Sequence, residues 1–133
     1  MTTMIKATLN RTVSNGVSPM THTIDATDRT LGRVASEAAH ALLGKRSVHF
    51  SKNQALPVMV TIMNASKLHL PARRTEGKIY LRYTGYPGGQ REMTMADMIT
   101  KKGIAEVLKK TIDGMIPRNK LRKPRMKNLI INA

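Results

Sequence analysis

A chain of 133 residues has the length of one domain, and the absence of cysteine excludes disulfides and thiolate metal sites. Against 8 acidic residues stand 23 Lys and Arg, a net charge of +15 that exceeds what solubility requires and points to a polyanionic partner. No apolar run is long enough to span a bilayer, and an apolar fraction of 41% is that of a chain that folds around a core.

Residues 1–21 carry the turn signals Asn15-Gly16 and Ser18-Pro19 and little periodic pattern. They are expected to form an irregular basic extension ahead of a single α/β domain at 22–133. They lack the continuous apolar stretch of a secretory signal. Their lack of acids suits a mitochondrial presequence only weakly, since Arg11 is the one arginine.

Residues 22–26 are short and β-prone and predict a first strand. Thr27–Thr30 is a polar turn, after which Leu31, Val34, Ala35, Ala38 and Leu42 recur at helical spacing through residues 31–44. Glu37 stands four residues after Arg33, a spacing that supports a helix. Gly44 is the stop. Val58–Met63 is a nearly continuous apolar run, the pattern of a strand covered on both faces. Lys67–Leu70 reads as a brief strand, and Pro71–Gly77 as a polar loop. Lys78–Thr84 alternates and predicts a third main strand, with Ile79, Leu81 and Tyr83 on one face and Tyr80 and Arg82 on the other. Gly85–Gly89 must be a loop.

Thr94 and Asp97 have the spacing of a capping box before a helix that Gly103 interrupts. Ile104, Val107, Leu108, Ile112 and Ile116 continue the pattern to Pro117. Gly114 lowers helix propensity by about 1 kcal/mol against Ala, which suggests that another backbone approaches there. Asn119 suits the cap of a short helix whose length Pro124 limits, and Lys127–Asn132 reads as a last strand. The order predicts a three-layer α/β fold, a mostly parallel four-stranded sheet with helices on both faces.

Catalytic patterns fail one by one. Gly44-Lys45 lacks the earlier glycine and following hydroxyl of a P-loop, and no dinucleotide fingerprint occurs. The histidines have no metal-ligand spacing. Asp25 and Asp28, the one close acid pair, fit a strand end and a helix start better than acid–base chemistry. No metal or cofactor is expected. A nucleotide-dependent α/β enzyme remains the rival reading, without a phosphate-binding motif to support it. The cations fall instead at 45–52, 73–91, 101–110 and 118–127, and the last run is densest. With few aromatics, the chain suits phosphate and shape recognition of folded RNA rather than base stacking.

Several stretches resemble the large-subunit ribosomal protein thirteen family, bacterial type. They are I-D-A-T-D-R-T-L-G-R-V-A-S at 24–36, L-L-G-K at 42–45, I-M-N-A-S-K at 62–67, T-G-Y-P-G-G at 84–89 and G-M-I-P-R-N-K-L at 114–121. Tyr83 stands where the family usually has His. The resemblance implies a non-enzymatic constituent of the large subunit, in the cytoplasm, that binds its ribosomal RNA and aids early assembly. Its implied partners are that RNA and neighbouring ribosomal proteins, with no membrane and no homo-oligomer. Contacts are expected from Lys45, Arg46 and Lys52, and from Arg73, Arg74, Arg82 and Arg91. The loop adds Tyr83, Thr84, Gly85, Tyr86, Gly88 and Gly89. The C-terminal run adds Arg118, Lys120, Arg122, Lys123, Arg125 and Lys127.

Overall fold

The β-branched side chains of Thr21, Thr23 and Ile24 favour extended backbone, and the first strand is β1, Met20–Asp25. The computed structural model describes residues 20–132. The expected N-terminal extension lies outside them apart from Met20 and Thr21, which are already strand. Helix α1, Leu31–Leu42, leads to β2, Val58–Met63. Then come α2, Ala72–Gly77, and the strands β3, Ile79–Tyr83, and β4, Gln90–Thr94. Helices α3, Met95–Lys102, and α4, Ile104–Met115, are followed by α5, Arg122–Lys127, and β5, Leu129–Ile131.

The main sheet has three parallel strands in the order β1-β2-β5. Its register places Ile24, Ile62 and Ile131 in one row and Val60 beside Leu129 in the next. On that face Ile24, Val58, Val60 and Ile62 are buried beneath α1, whose Val34, Ala35 and Ala38 are fully enclosed. Small alanines let helix and sheet backbones approach closely. Helix α4 packs on α1 through a face that buries Val107, Leu108 and Ile112. Each large aliphatic side chain removed from water contributes about 1.5–3 kcal/mol.

The four-stranded sheet with helices on both faces is not what the described residues form. Thr21, Thr23 and Asp25 on the opposite face are exposed, and Met63 and Ile130 are more than two-fifths exposed. The run V-M-V-T-I-M looked apolar throughout, yet its Met and Thr positions tolerate partial exposure while its Val and Ile positions do not. The expected third main strand belongs elsewhere. β3 pairs antiparallel with β4, from Ile79↔Thr94 to Tyr83↔Gln90, in a separate hairpin. β4 escaped the sequence because Gln-Arg-Glu has neither apolar alternation nor high β propensity; backbone pairing across the Gly85–Gly89 turn forms it. Residues 71–77 are not a loop but the short α2, none of whose residues is buried, so no apolar stripe announced it. Lys67–Leu70 makes a single bridge, His69 to Thr30, rather than a strand.

Local signals fared better at helix ends. The Thr94 hydroxyl accepts from Asp97 N at 3.2 Å and donates to the Asp97 carboxylate at 2.8 Å. Gly103, at φ +84°, divides α3 from α4. Pro124 lies in the first turn of α5, where its missing N–H costs nothing, and so does not limit the helix. Gly114 is corrected outright: a Cβ there would meet nothing within 4 Å. No backbone approaches it, so the helix-propensity cost is uncompensated. Gly114→Ala is therefore expected to raise stability, by a few tenths to about 1 kcal/mol, read as an increase in Tm. A fall would show a neighbour that this geometry lacks.

Candidate nucleic-acid interface

Three of the four cationic clusters meet along α4. Lys110 holds its ammonium 4.6 Å from the centre of the Tyr80 ring, and Lys78 lies 5.7 Å from it. These contacts join the α4 surface to the base of the hairpin. The Tyr80 ring is half-buried, and that burial pushes its phenol up. Lys78 also borders a recess with Arg73 and Arg74. Lys102 and Lys109 line an open groove opposite Arg122, Lys123 and Lys127 of α5. Its floor includes Ala105, Met126, Leu129 and Ile131, and Glu106 and Asp113 are the acids within it.

Few of these cations are neutralised. Among the described residues three ion pairs form, and two share one carboxylate. Glu37 bridges Arg29 at 2.7 Å and Arg46 at 2.9 Å, and the two guanidiniums, Arg29 foremost, hold its carboxyl below the usual range. The expected Arg33 pairing is thus replaced, and Arg46 is drawn back toward α1. Arg122 pairs with Asp113 at 3.2 Å. Lys45, Lys52, Arg73, Arg74, Arg82, Arg91, Arg118, Lys120, Lys123 and Lys127 are exposed and outside these pairs.

Arg125 departs from the expectation. It is 3% exposed, and its Nη2 donates to the Gln54 carbonyl at 2.9 Å, with no partner at Nε. A side chain so enclosed cannot meet a phosphate; it ties α5 to the 44–57 connection. It stands in a run of cations, so nothing in the pattern K-P-R-M-K marked this one as interior.

The hairpin tip is held by its own bonds. Thr84 N donates to the Gly89 carbonyl at 3.2 Å, and Gly89 N to the Tyr86 carbonyl at 2.9 Å. A Cβ on Gly89 would collide with the Thr84 hydroxyl and fall 2.8 Å from that Tyr86 oxygen. Gly88 has open space but φ +68°. Gly89 is therefore required by the turn itself and Gly88 by its left-handed backbone. Tyr83 and Tyr86 are 65% and 75% exposed. On β3 and β4, Arg82 and Arg91 are direct cross-strand partners. Like charges so placed repel, and an anion between them would relieve it.

The acid pair considered for catalysis is structural. Asp25 accepts from Thr27 N at 3.1 Å, Thr27 Oγ1 at 2.8 Å and Asn64 Nδ2 at 3.1 Å. These bonds, that from Asn64 foremost, lower its pKa from 3.8 to about 2. A depressed pKa stabilises the fold above the unfolded value and loses that effect as pH falls toward the folded one. The Tm difference between wild type and Asp25→Ala is therefore expected to be constant above about pH 5 and to shrink toward pH 2. A difference independent of pH over that window would mean the bonds do not favour the ionised form.

The family model described as ribosomal protein L13 matches residues 19–132. A large ribosomal subunit protein uL13 from Mesomycoplasma hyopneumoniae (strain 7448) is 43% identical over 108 residues, covering 81% of this chain and 74% of that protein. Its namesake from Chlamydia caviae is 40% identical over 110 residues, 83% of this chain and 73% of that protein. For Hahella chejuensis the figures are 35% over 112 residues, 84% and 78%.

Proposed function

The chain belongs to the ribosomal protein L13 family, and from that premise we propose that its α4-centred basic surface holds large-subunit ribosomal RNA. It is a structural constituent of the large ribosomal subunit and not an enzyme. Its place of work is the ribosome, in the cytoplasm. What it contributes there is binding, through phosphate neutralisation and fit to folded RNA.

The observation that carries this reading is the convergence of separate cationic clusters on one helix with few acids among them. Such a surface gains by releasing counterions from a polyanion. The contacting set is Lys45, Lys52, Arg73, Arg74, Arg82, Arg91, Arg118, Lys120, Lys123 and Lys127, with Arg46 and Arg122 secondary because each already has an acid. Arg125 leaves the set. The loop from Thr84 to Gly89, open at its tip, follows the RNA backbone between Arg82 and Arg91, and Tyr83, on the strand face opposite the two arginines, leaves the set. The RNA-binding domain begins with β1 at Met20, two residues before the boundary expected from the sequence, and the residues before it are an extension. Binding early in assembly suits a protein whose contacts are mostly with RNA.

The test is sedimentation of the full chain. It is expected to travel with the large subunit and to remain there through a moderate-salt wash. Recovery at the top of the gradient, with large subunits intact, would overturn the reading.

A further inference from the structure

The β3–β4 hairpin has two unlike faces. Strand alternation puts Tyr80 and Met93 on the side that packs toward the core, continued outward by Arg82 and Arg91. The other side bears Ile79, Leu81 and Tyr83, which are 48%, 62% and 65% exposed. Their cross-strand partners are Thr94, Glu92 and Gln90. A strand that turns three of its four apolar and aromatic side chains outward has left its hydrophobic surface for something else to cover.

This face lacks what RNA would need. In a chain of net charge +15 it carries no Lys or Arg, and it carries one acid, Glu92. Gln90 Nε2 donates to Glu92 Oε1 at 3.1 Å along the strand, and no ion pair among the described residues holds the carboxylate. A phosphate backbone would be repelled there. A second copy of the chain would set Glu92 against Glu92 and bring two strongly basic molecules together. The chemistry that fits is an extended basic polypeptide with apolar side chains for the Ile79–Tyr83 row and a Lys or Arg for Glu92.

We infer that the outer face of the β3–β4 hairpin docks an extended basic segment of a neighbouring large-subunit protein. The inference rests on the reading that this chain sits in the large subunit. RNA then meets the arginine face and the tip, and protein meets the opposite face, so that the hairpin lies between the two. The occupant covers Leu81 and Tyr83 and pairs with Glu92.

The test uses the full chain assembled into large subunits, with the photoreactive p-benzoylphenylalanine in place of Leu81, or of Tyr83 as an independent position. A third protein carries it in place of Lys123, on the RNA surface. After irradiation the Leu81 and Tyr83 adducts are expected on a peptide of another subunit protein with Lys or Arg close to the linked residue. The Lys123 adduct is expected on ribosomal RNA. Adding Glu92→Lys to the Leu81 probe should lower its protein adduct by about fivefold and leave assembly of the subunit unchanged. Adducts from positions 81 and 83 to RNA, to a second copy of this chain or to its own residues 1–19 would overturn the inference. So would no adduct at either position, or a yield indifferent to Glu92→Lys. Failure of the Lys123 probe to reach RNA would count against the RNA-binding surface alone, so the two readings fail separately.

Discussion

Arg125→Ala is expected to destabilise the fold by about 2–4 kcal/mol, and Arg125→Met to leave it within about 1 kcal/mol of wild type. The side chain is enclosed, so truncation to alanine removes its stem and leaves a cavity under α5. It also removes the bond to the Gln54 carbonyl, 2.9 Å long. A hydrogen bond from a charged donor contributes about 1.5–3 kcal/mol. Against these losses stands relief of a charge held out of water with Nε unpartnered. Methionine keeps most of the stem volume and dispenses with the charge. Gln54 is exposed, so water can satisfy its carbonyl. Urea unfolding of both variants separates the contributions. Equal losses would mean the polar bond matters and the stem does not. Two neutral variants would mean the side chain is not enclosed. Affinity for ribosomal RNA supplies a second readout: Arg125→Met should leave its salt dependence unchanged, whereas a phosphate contact would flatten it by about 0.7–0.9 units.

Arg125 also marks where sequence stops informing. The strand at Val58–Met63 and the helices around Gly103 were legible because burial imposes a period on the chain and caps punctuate it. The long apolar face of α1 needed no tertiary information. What failed was whatever depends on a distant partner. Ile79, Leu81 and Tyr83 alternate as a strand should, but alternation does not say which sheet takes the strand, or which face turns inward. Here the smaller apolar set, Tyr80 with Met93, is the inward one, held by Lys110 from a helix thirty residues on in the chain. Short α2 has no buried residue, and polar β4 exists through its partner strand, so neither had an apolar pattern to read.

The basic surface was visible in the sequence only in part. Composition pointed to a polyanion, and the clusters were visible as runs. Their convergence on α4 was not, because Lys109 and Lys110 are adjacent in sequence yet turn to different neighbours, one to the α5 groove and one to the hairpin. Within the densest run, a six-residue helix sorts the charges. It sends Arg125 inward, sets Arg122 against Asp113, and leaves Lys123 and Lys127 outside. A helical turn of 3.6 residues forces such sorting on any contiguous run of cations, so density overstates the number that can meet one partner.

That sorting fixes the last expected result. The triple variant Arg118→Gln, Lys120→Gln, Lys123→Gln should bind ribosomal RNA on the order of a hundredfold more weakly near 0.15 M salt. All three side chains are exposed and outside the ion pairs described above. Each phosphate contact adds about 0.9 units of slope to a log–log salt plot for duplex DNA and about 0.7 for single strands. Losing three should flatten the plot by roughly two to three units and weaken binding to unrelated structured RNA in the same proportion, since phosphate contacts carry no sequence information. Stability should move by less than about 0.5 kcal/mol per substitution. The companion variant Arg122→Gln should do less to affinity, because Asp113 already neutralises it in the unbound protein. Affinity and slope must be measured together on cognate and unrelated RNA. Lost affinity at unchanged slope would assign these residues to base or shape contacts rather than to phosphates. Unchanged affinity would make 118–127 a solvated face, and the RNA surface would then have to be sought around Arg73, Arg82 and Arg91 on the hairpin side of α4.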